Sequence, residues 1–371
     1  MDKNQLLFGA ITKYIATVVL IVTLAKCDTK YTKTSEELDN ILNNYDKRLR
    51  PDFGGEPVEV NVSLHLERVD LLTETMEMES EFTLRLKWTD ERLKVSSDLG
   101  QIQITSQSFA DNIWTPDLYF PESKSVTKID SAQFVRLNSE GEVKLSRNLK
   151  VVSRCPLSFH SYPFDTQECP LIMESFGYTN DQMQLRWLGE VTVSHSASRG
   201  AKFYVSKPSQ TFYSLHFVTG SFDDLQVEFY FKRVALDNVL RYYFPGILII
   251  ALSWLSFWID THHVTGRSLV VLISSLALLL SFLNFQMSLN KINHVTMLHL
   301  FYLLCFFFIA LVVVEFLVVL WIAQRAAKRE DGEDDSRGSS QTRLAGTIDF
   351  VCRIAFPLSF LFLLFVHCLH V

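Results

Sequence analysis

Apolar residues gather in four long runs in the last third of the chain, beginning near Val239, Ser268, Val295 and Thr347. At 1.5 Å per residue each run is long enough to cross a hydrocarbon core of ~30 Å, and the pattern predicts four membrane-spanning helices. Ahead of them the periodicity changes. Val58, Val60 and Val62 alternate with Glu59, Asn61 and Ser63, and Phe82, Leu84, Leu86 and Trp88 alternate with Thr83, Arg85 and Lys87. Such period-two runs recur to Arg233, broken by turns such as Ser139-Glu140-Gly141, and predict many short strands packed as a β-sandwich. One helix precedes them, with Ser35 as its N-cap and Leu38, Ile41 and Leu42 on one face. The predicted fold is therefore a β-sandwich extracellular domain over residues 34–238, followed by a four-helix transmembrane bundle. Helices one to three fall in 239–323, a cytoplasmic linker in 324–346, charged and without regular structure over Lys328–Ser340, and the fourth helix in 347–371.

Charge and targeting signals sharpen this layout. The chain of 371 residues carries a formal charge of −6, yet acids outnumber bases by 31 to 21 between Thr34 and Asn238. An acidic water-facing domain argues against nucleic acid as a partner and suits cations or amines. Residues 1–27 pattern as a secretory signal: Lys3, then a short apolar stretch from Tyr14 to Leu24, then a polar run. The sandwich is thereby placed outside the cell, and four spans return the C-terminus to the same side. Arg267, Arg325, Lys328, Arg329, Arg337 and Arg343 then fall in cytoplasmic loops, as the positive-inside rule requires. The chain is thus expected to be a multi-pass protein of the plasma membrane, in contact with lipid, with both termini extracellular. Of the six cysteines, only Cys155 and Cys169 lie in the oxidising extracellular part, and they are expected to pair with each other. Asn61-Val62-Ser63 fits the glycosylation pattern. No nucleophile–base pair, phosphate-binding glycine loop or metal-ligand cluster appears, so neither an enzyme nor a metal or cofactor site is predicted.

The segment CPLSFHSYPFDTQEC, Cys155 to Cys169, resembles the signature loop of the Cys-loop receptors, the pentameric ligand-gated ion channels. YDKRLRP (Tyr45–Pro51), WTDERL (Trp88–Leu93), WTPDLYF (Trp114–Phe120), Phe231-Lys232-Arg233 and the Ile348-Asp349…Arg353…Phe356-Pro357 pattern carry the same resemblance across nearly the whole chain. FVTGSF, Phe217 to Phe222, is most similar to the GABA-receptor branch.

The resemblance implies a ring of five subunits, a homopentamer or one shared with other subunits, with ligand bound between neighbouring extracellular domains. One face of the subunit would contribute Tyr119, Glu174, Ser175, Phe176, Phe217, Thr219 and Phe222. Aromatic rings beside a carboxylate suit an ammonium group through cation–π attraction of ~0.5–2 kcal/mol per contact. The opposite face would contribute Leu84, Leu86, Ser146 and Asn148, with no cation for a ligand carboxylate. The expected agonist is then a small amine-like molecule lacking an acid group.

By the same resemblance the second span lines the pore through Arg267, Leu269, Ile273, Leu276, Leu280, Leu283 and Met287. A second stripe, Ser274, Ser281, Asn284 and Ser288, is either turned away into the bundle or brought inward by rotation. The Arg267 ring favours anions and the acidic domain enriches cations, leaving charge selectivity open. Phe164, Asp165 and Arg233 would couple the two domains, together with Leu72–Met76 and Asn290–His294. The function this implies is an extracellular ligand-gated ion channel subunit. The alternative is a receptor or binding protein of the same fold with an apolar, poorly conducting or non-conducting pore.

Overall fold

The computed structural model describes residues 32–194, 202–261, 263–288, 295–330 and 335–369. The predicted signal segment and Asn290–His294 lie outside them. Helix α1 (32–43) begins about a turn before the expected Ser35 cap, and its Leu38, Ile41 and Leu42 pack against the sandwich.

The strands are β1 (Val58–Leu72), β2 (Glu77–Thr89), β3 (Gln101–Ile104), β4 (Leu118–Tyr119), β5 (Ser123–Asn138) and β6 (Glu142–Arg154). They continue as β7 (Thr166–Ser175), β8 (Met183–Trp187), β9 (Thr192–Val193), β10 (Phe203–Val205), β11 (Ser209–Phe217) and β12 (Gly220–Arg233). One sheet runs β3-β5-β6-β2-β1-β8 with β9 beside β1, and the other runs β10-β12-β7-β4 with β11 beside β12. A short helix, α2 (Gln107–Asp111), joins β3 to β4.

The alternation explains the layers. Val60, Val62, Leu64 and Leu66 of β1 and Phe82, Leu84, Leu86 and Trp88 of β2 all point into one core, which Leu171, Met173, Leu225, Val227 and Phe229 fill from the other sheet. A side-chain period of two on a pleated strand leaves Asn61, Ser63, Arg85 and Lys87 on the outer face. The Cys155–Cys169 disulfide ties the end of β6 to β7, and so one sheet to the other.

Three sequence motifs converge on one buried network. The Tyr45 hydroxyl donates to Asp90 (2.7 Å) and accepts from the Trp114 backbone N–H (3.1 Å), and the Arg92 guanidinium stacks 4.4 Å from the Tyr45 ring. Arg50 donates to the carbonyls of Pro51, Asp52, Gly55 and Glu56, fixing the turn before β1. YDKRLRP, WTDERL and WTPDLYF are thus scaffolding motifs that set α1 against the sandwich.

Four helices follow: α3 (Ala235–Trp258), α4 (Val264–Ser288), α5 (Met297–Glu330) and α6 (Asp335–Leu369), each containing an apolar span of membrane length. The widened turn at Val239–Tyr243 in α3 directly precedes Phe244-Pro245. A proline lacks its N–H and crowds the carbonyl four residues back, here Arg241, so a π-type turn relieves the clash. Gly246 lets α3 approach α5, since a Cβ there would stand 2.7 Å from the Phe301 ring. Much of the expected irregular linker is helical instead: α5 continues to Glu330 and α6 begins at Asp335.

Candidate ligand-binding and ion-conducting sites

Strands β4, β7 and β12 bring the predicted aromatic residues and carboxylate together. Tyr119 pairs in register with Glu174, and Glu174 with Asp224. The Tyr119 hydroxyl donates to Glu174 Oε1, and the Tyr119 ring meets Phe176 edge-on with centroids 5.4 Å apart. Burial, and then the hydrogen bond and negative charge of Asp224, push the Glu174 carboxyl up to about 7. Phe217 and Phe222 form a second edge-on pair, at 5.9 Å, beside the β11–β12 turn that holds the exposed Thr219. Phe176 and Phe217 stand 76% and 56% exposed, so their rings are free to meet a ligand or a neighbour.

Ser175 differs from this group. Its hydroxyl donates to Asp117 (2.7 Å) and accepts from the Tyr178 N–H (2.9 Å) while the residue is buried, so it holds the turn that projects Phe176.

The opposite face needs a correction. Leu84 and Leu86 are buried in the sandwich core, and only Leu86 reaches the base of a surface hollow. Their neighbours Thr83, Arg85 and Lys87 occupy the outer face, paired with Asn148, Ser146 and Lys144. Arg85 is exposed and makes no ion pair among the described residues, so this strand does present a cation. Ser63, Arg85, Phe134 and Ser146 line a hollow of about 380 Å³ with Lys87, Lys144 and Arg136. Asn148 lies beside it, within hydrogen-bond reach of Thr83 (2.8 Å). The strict alternation of β2 already carried this signal, because a residue in register with core Phe82 and Trp88 belongs to the core. The sequon Asn61 sits on the outer face too, its amide donating to Glu59 (3.2 Å).

The membrane helices bring a second correction. Arg267 is only 1% exposed and faces away from the open side of α4. Its guanidinium donates to Asp349 of α6 (2.9 and 3.2 Å) and Glu315 of α5 (3.1 and 3.3 Å). A buried cation caught between two carboxylates contributes no charge to a lumen. Leu269, Ile273, Leu276, Leu280, Leu283 and Met287, by contrast, all lie on the uncovered side of α4, between 47% and 74% exposed. Of the second stripe, Ser274 is buried, Ser281 bonds the Tyr302 hydroxyl (2.9 Å), and the exposed Ser288 accepts from the Tyr242 hydroxyl (2.9 Å), while Asn284 is exposed.

At the junction of the two domains Arg233 of β12 forms a two-pronged pair with Asp165 (2.6 and 3.0 Å), and Gln167 also donates to that carboxylate. The Arg233 guanidinium lies 4.6 Å from the Phe203 ring and 5.0 Å from Tyr162. Tyr162 donates to Asn238 (2.9 Å), Phe164 packs against Tyr243 of α3, and the Met297 N–H donates to the His160 carbonyl (2.9 Å). The disulfide-closed loop thus touches both α3 and the start of α5.

Profiles of known families match both halves of this architecture: the neurotransmitter-gated ion-channel ligand binding domain over residues 34–235, and the neurotransmitter-gated ion-channel transmembrane region over residues 242–340. The chain belongs to the neurotransmitter-gated ion-channel family. It is 34% identical over 251 residues to gamma-aminobutyric acid receptor subunit rho-3 of Homo sapiens (62% of this chain, 51% of the relative). To gamma-aminobutyric acid receptor subunit beta of Lymnaea stagnalis it is 30% identical over 351 residues (87% of this chain, 70% of the relative). Subunit beta-4 of Gallus gallus is 31% identical over 314 residues (81% of this chain, 63% of the relative). The chain thus spans about half of the rho-3 subunit and larger shares of the other two. Members of this family are ligand-gated channels that assemble as pentamers, not enzymes.

Proposed function

We propose that the chain is a plasma-membrane channel subunit, with both termini outside, that assembles as a homopentamer and is gated by a small zwitterion bound between adjacent extracellular domains. Glu174, Tyr119, Phe176, Phe217 and Phe222 of one subunit would receive the ammonium. Arg85 and Ser146 of the next would receive an acid group. The observation that carries this is the placement of Arg85 on the outer face opposite Ser146. The amine without an acid group expected from Leu84 and Leu86 loses its basis, because both leucines are in the core. Radioligand binding to membranes expressing the chain tests the reading. 4-Aminobutanoate should bind more tightly than its methyl ester, and Arg85→Ala should erase that difference. Equal binding of acid and ester to the wild-type chain would refute it.

A second reading concerns conduction, and the open face of α4 favours it. If α4 lines the pore, the lumen is ringed by Leu269, Ile273, Leu276, Leu280 and Leu283, while Ser274 and Ser281 stay turned into the bundle. An ion there loses hydration and gains no oxygen ligand. The subunit would then bind ligand and conduct poorly. Voltage-clamp recording decides this: little current from the wild-type chain and a leak after Ile273→Thr support the apolar pore, and robust wild-type current rules it out.

A further inference from the structure

The outer face of the larger sheet carries a row of cations that a single carboxylate leaves unmatched. Strand registers place Arg186, Asn61, Lys87, Lys144 and Arg136 side by side across β8, β1, β2, β6 and β5. The adjacent row holds Ser63, Arg85, Ser146 and Phe134. Two residues along a strand separate the rows by roughly 7 Å. The hollow of about 380 Å³ spans both, its walls including Arg85, Lys87, Lys144 and Arg136 and its floor Leu86 and Leu145.

Acid matching in the first row, that of Lys87 and Lys144, is thin. Lys87 and Lys144 share one carboxylate, Glu142, at 2.5 and 2.8 Å. Glu59, on the far side of the row, accepts from Asn61. Arg136 donates to the neutral Gln103 (2.7 Å), and Arg186 meets Gln184 and the Phe212 ring. When a neighbouring subunit covers this face, the excess cations lose water, which is unfavourable unless an anion accompanies them. A monocarboxylate is already satisfied by Arg85 and Ser146.

We infer that the preferred ligand is a small amine whose acid end carries two negative charges, such as a phosphate monoester. Arg85 and Ser146 take one charged oxygen, and Lys87, Lys144 and Arg136 take the others. Resting on the ligand site proposed above, this narrows the class of molecule that site accepts. A phosphate group offers three strong acceptor oxygens and is largely dianionic above ~pH 6, and it matches a spread of lysine and arginine donors better than one planar carboxylate does.

The test measures binding of three probes to the detergent-purified full chain at about pH 8. Phosphoethanolamine and 4-aminobutanoate separate amine from acid centre by the same number of bonds. Glycerophosphoethanolamine keeps the amine but, as a diester, carries one negative charge. The monoester should bind at least about tenfold more tightly than either comparator. Lys87→Gln with Lys144→Gln should bring that ratio to about one, and Arg136→Gln should reduce it. The two lysine side chains are 35% and 44% exposed, so neither substitution disturbs the core. A wild-type ratio of one or less, or a ratio that persists in the double variant, overturns the inference. A wild-type ratio near one is also the result expected if a neighbouring subunit supplies the missing acids. If Arg85→Ala weakens neither 4-aminobutanoate nor the monoester, or none of the probes binds, the underlying site itself is wrong.

Discussion

Replacing Arg267 by methionine should destabilise the membrane bundle rather than change ion selectivity. The substitution keeps an unbranched stem but removes the cation that Glu315 and Asp349 share, each side chain being about 5% exposed. Two carboxyl groups would then face one another inside the bundle with no counter-charge. Removing one partner of a buried ion pair costs about 3–5 kcal/mol, because the remaining charge is stranded. That is a large part of the 5–15 kcal/mol that separates folded from unfolded domains. Arg267→Met with Glu315→Gln and Asp349→Asn should recover most of the loss, since the triple variant strands no charge. Denaturation of detergent-purified protein, followed by tryptophan fluorescence, measures both variants, with surface labelling as a cellular check. The reasoning fails if Arg267→Met is within ~0.5 kcal/mol of wild type and shifts only the reversal potential, as a water-facing residue would.

Three further outcomes are expected. Leu84→Ala should destabilise the extracellular domain by about 2–5 kcal/mol, whereas Arg85→Ala should leave its melting point nearly unchanged and weaken carboxylate ligands at least tenfold; melting and binding curves on both variants check which residue faces the core. Amine ligands should bind more tightly as pH rises from about 6 to 8, because Glu174 titrates near 7 and must be ionised to face an ammonium. The raised pKa contributes stability that is full below the ordinary carboxyl pKa and lost as pH rises through about 7, so the same titration should slightly loosen the unliganded domain; an affinity that stays flat or falls with pH contradicts this. Cys155→Ser with Cys169→Ser should lose ~3 kcal/mol, the loop-entropy contribution expected for a sequence separation of 14, and mass spectrometry of surface protein should find both native cysteines oxidised.

The amino-acid sequence by itself determined the large-scale plan, because that plan rests on periodicity and length. Four apolar runs required four helices, and the period-two alternation required a sandwich. Cys155 and Cys169 were the two cysteines left outside the membrane, and they are bonded. The principal aromatic cluster was legible as well: Tyr119, Glu174 and Phe176 meet because β4 and β7 pair in register. What needed the tertiary structure was the direction in which individual side chains point. On β2 the alternation of Phe82, Leu84, Leu86 and Trp88 with Arg85 and Lys87 already separated the two faces, and the structure showed the first packed in the core and the second outside it. On α4 the same question was one of rotation. Its charge and its place in the second span pointed Arg267 to a lumen. Only the convergence of Glu315 and Asp349, 48 and 82 residues away in sequence, turned it inward. Partners so distant leave no local pattern, and the packing of three helices chose the face.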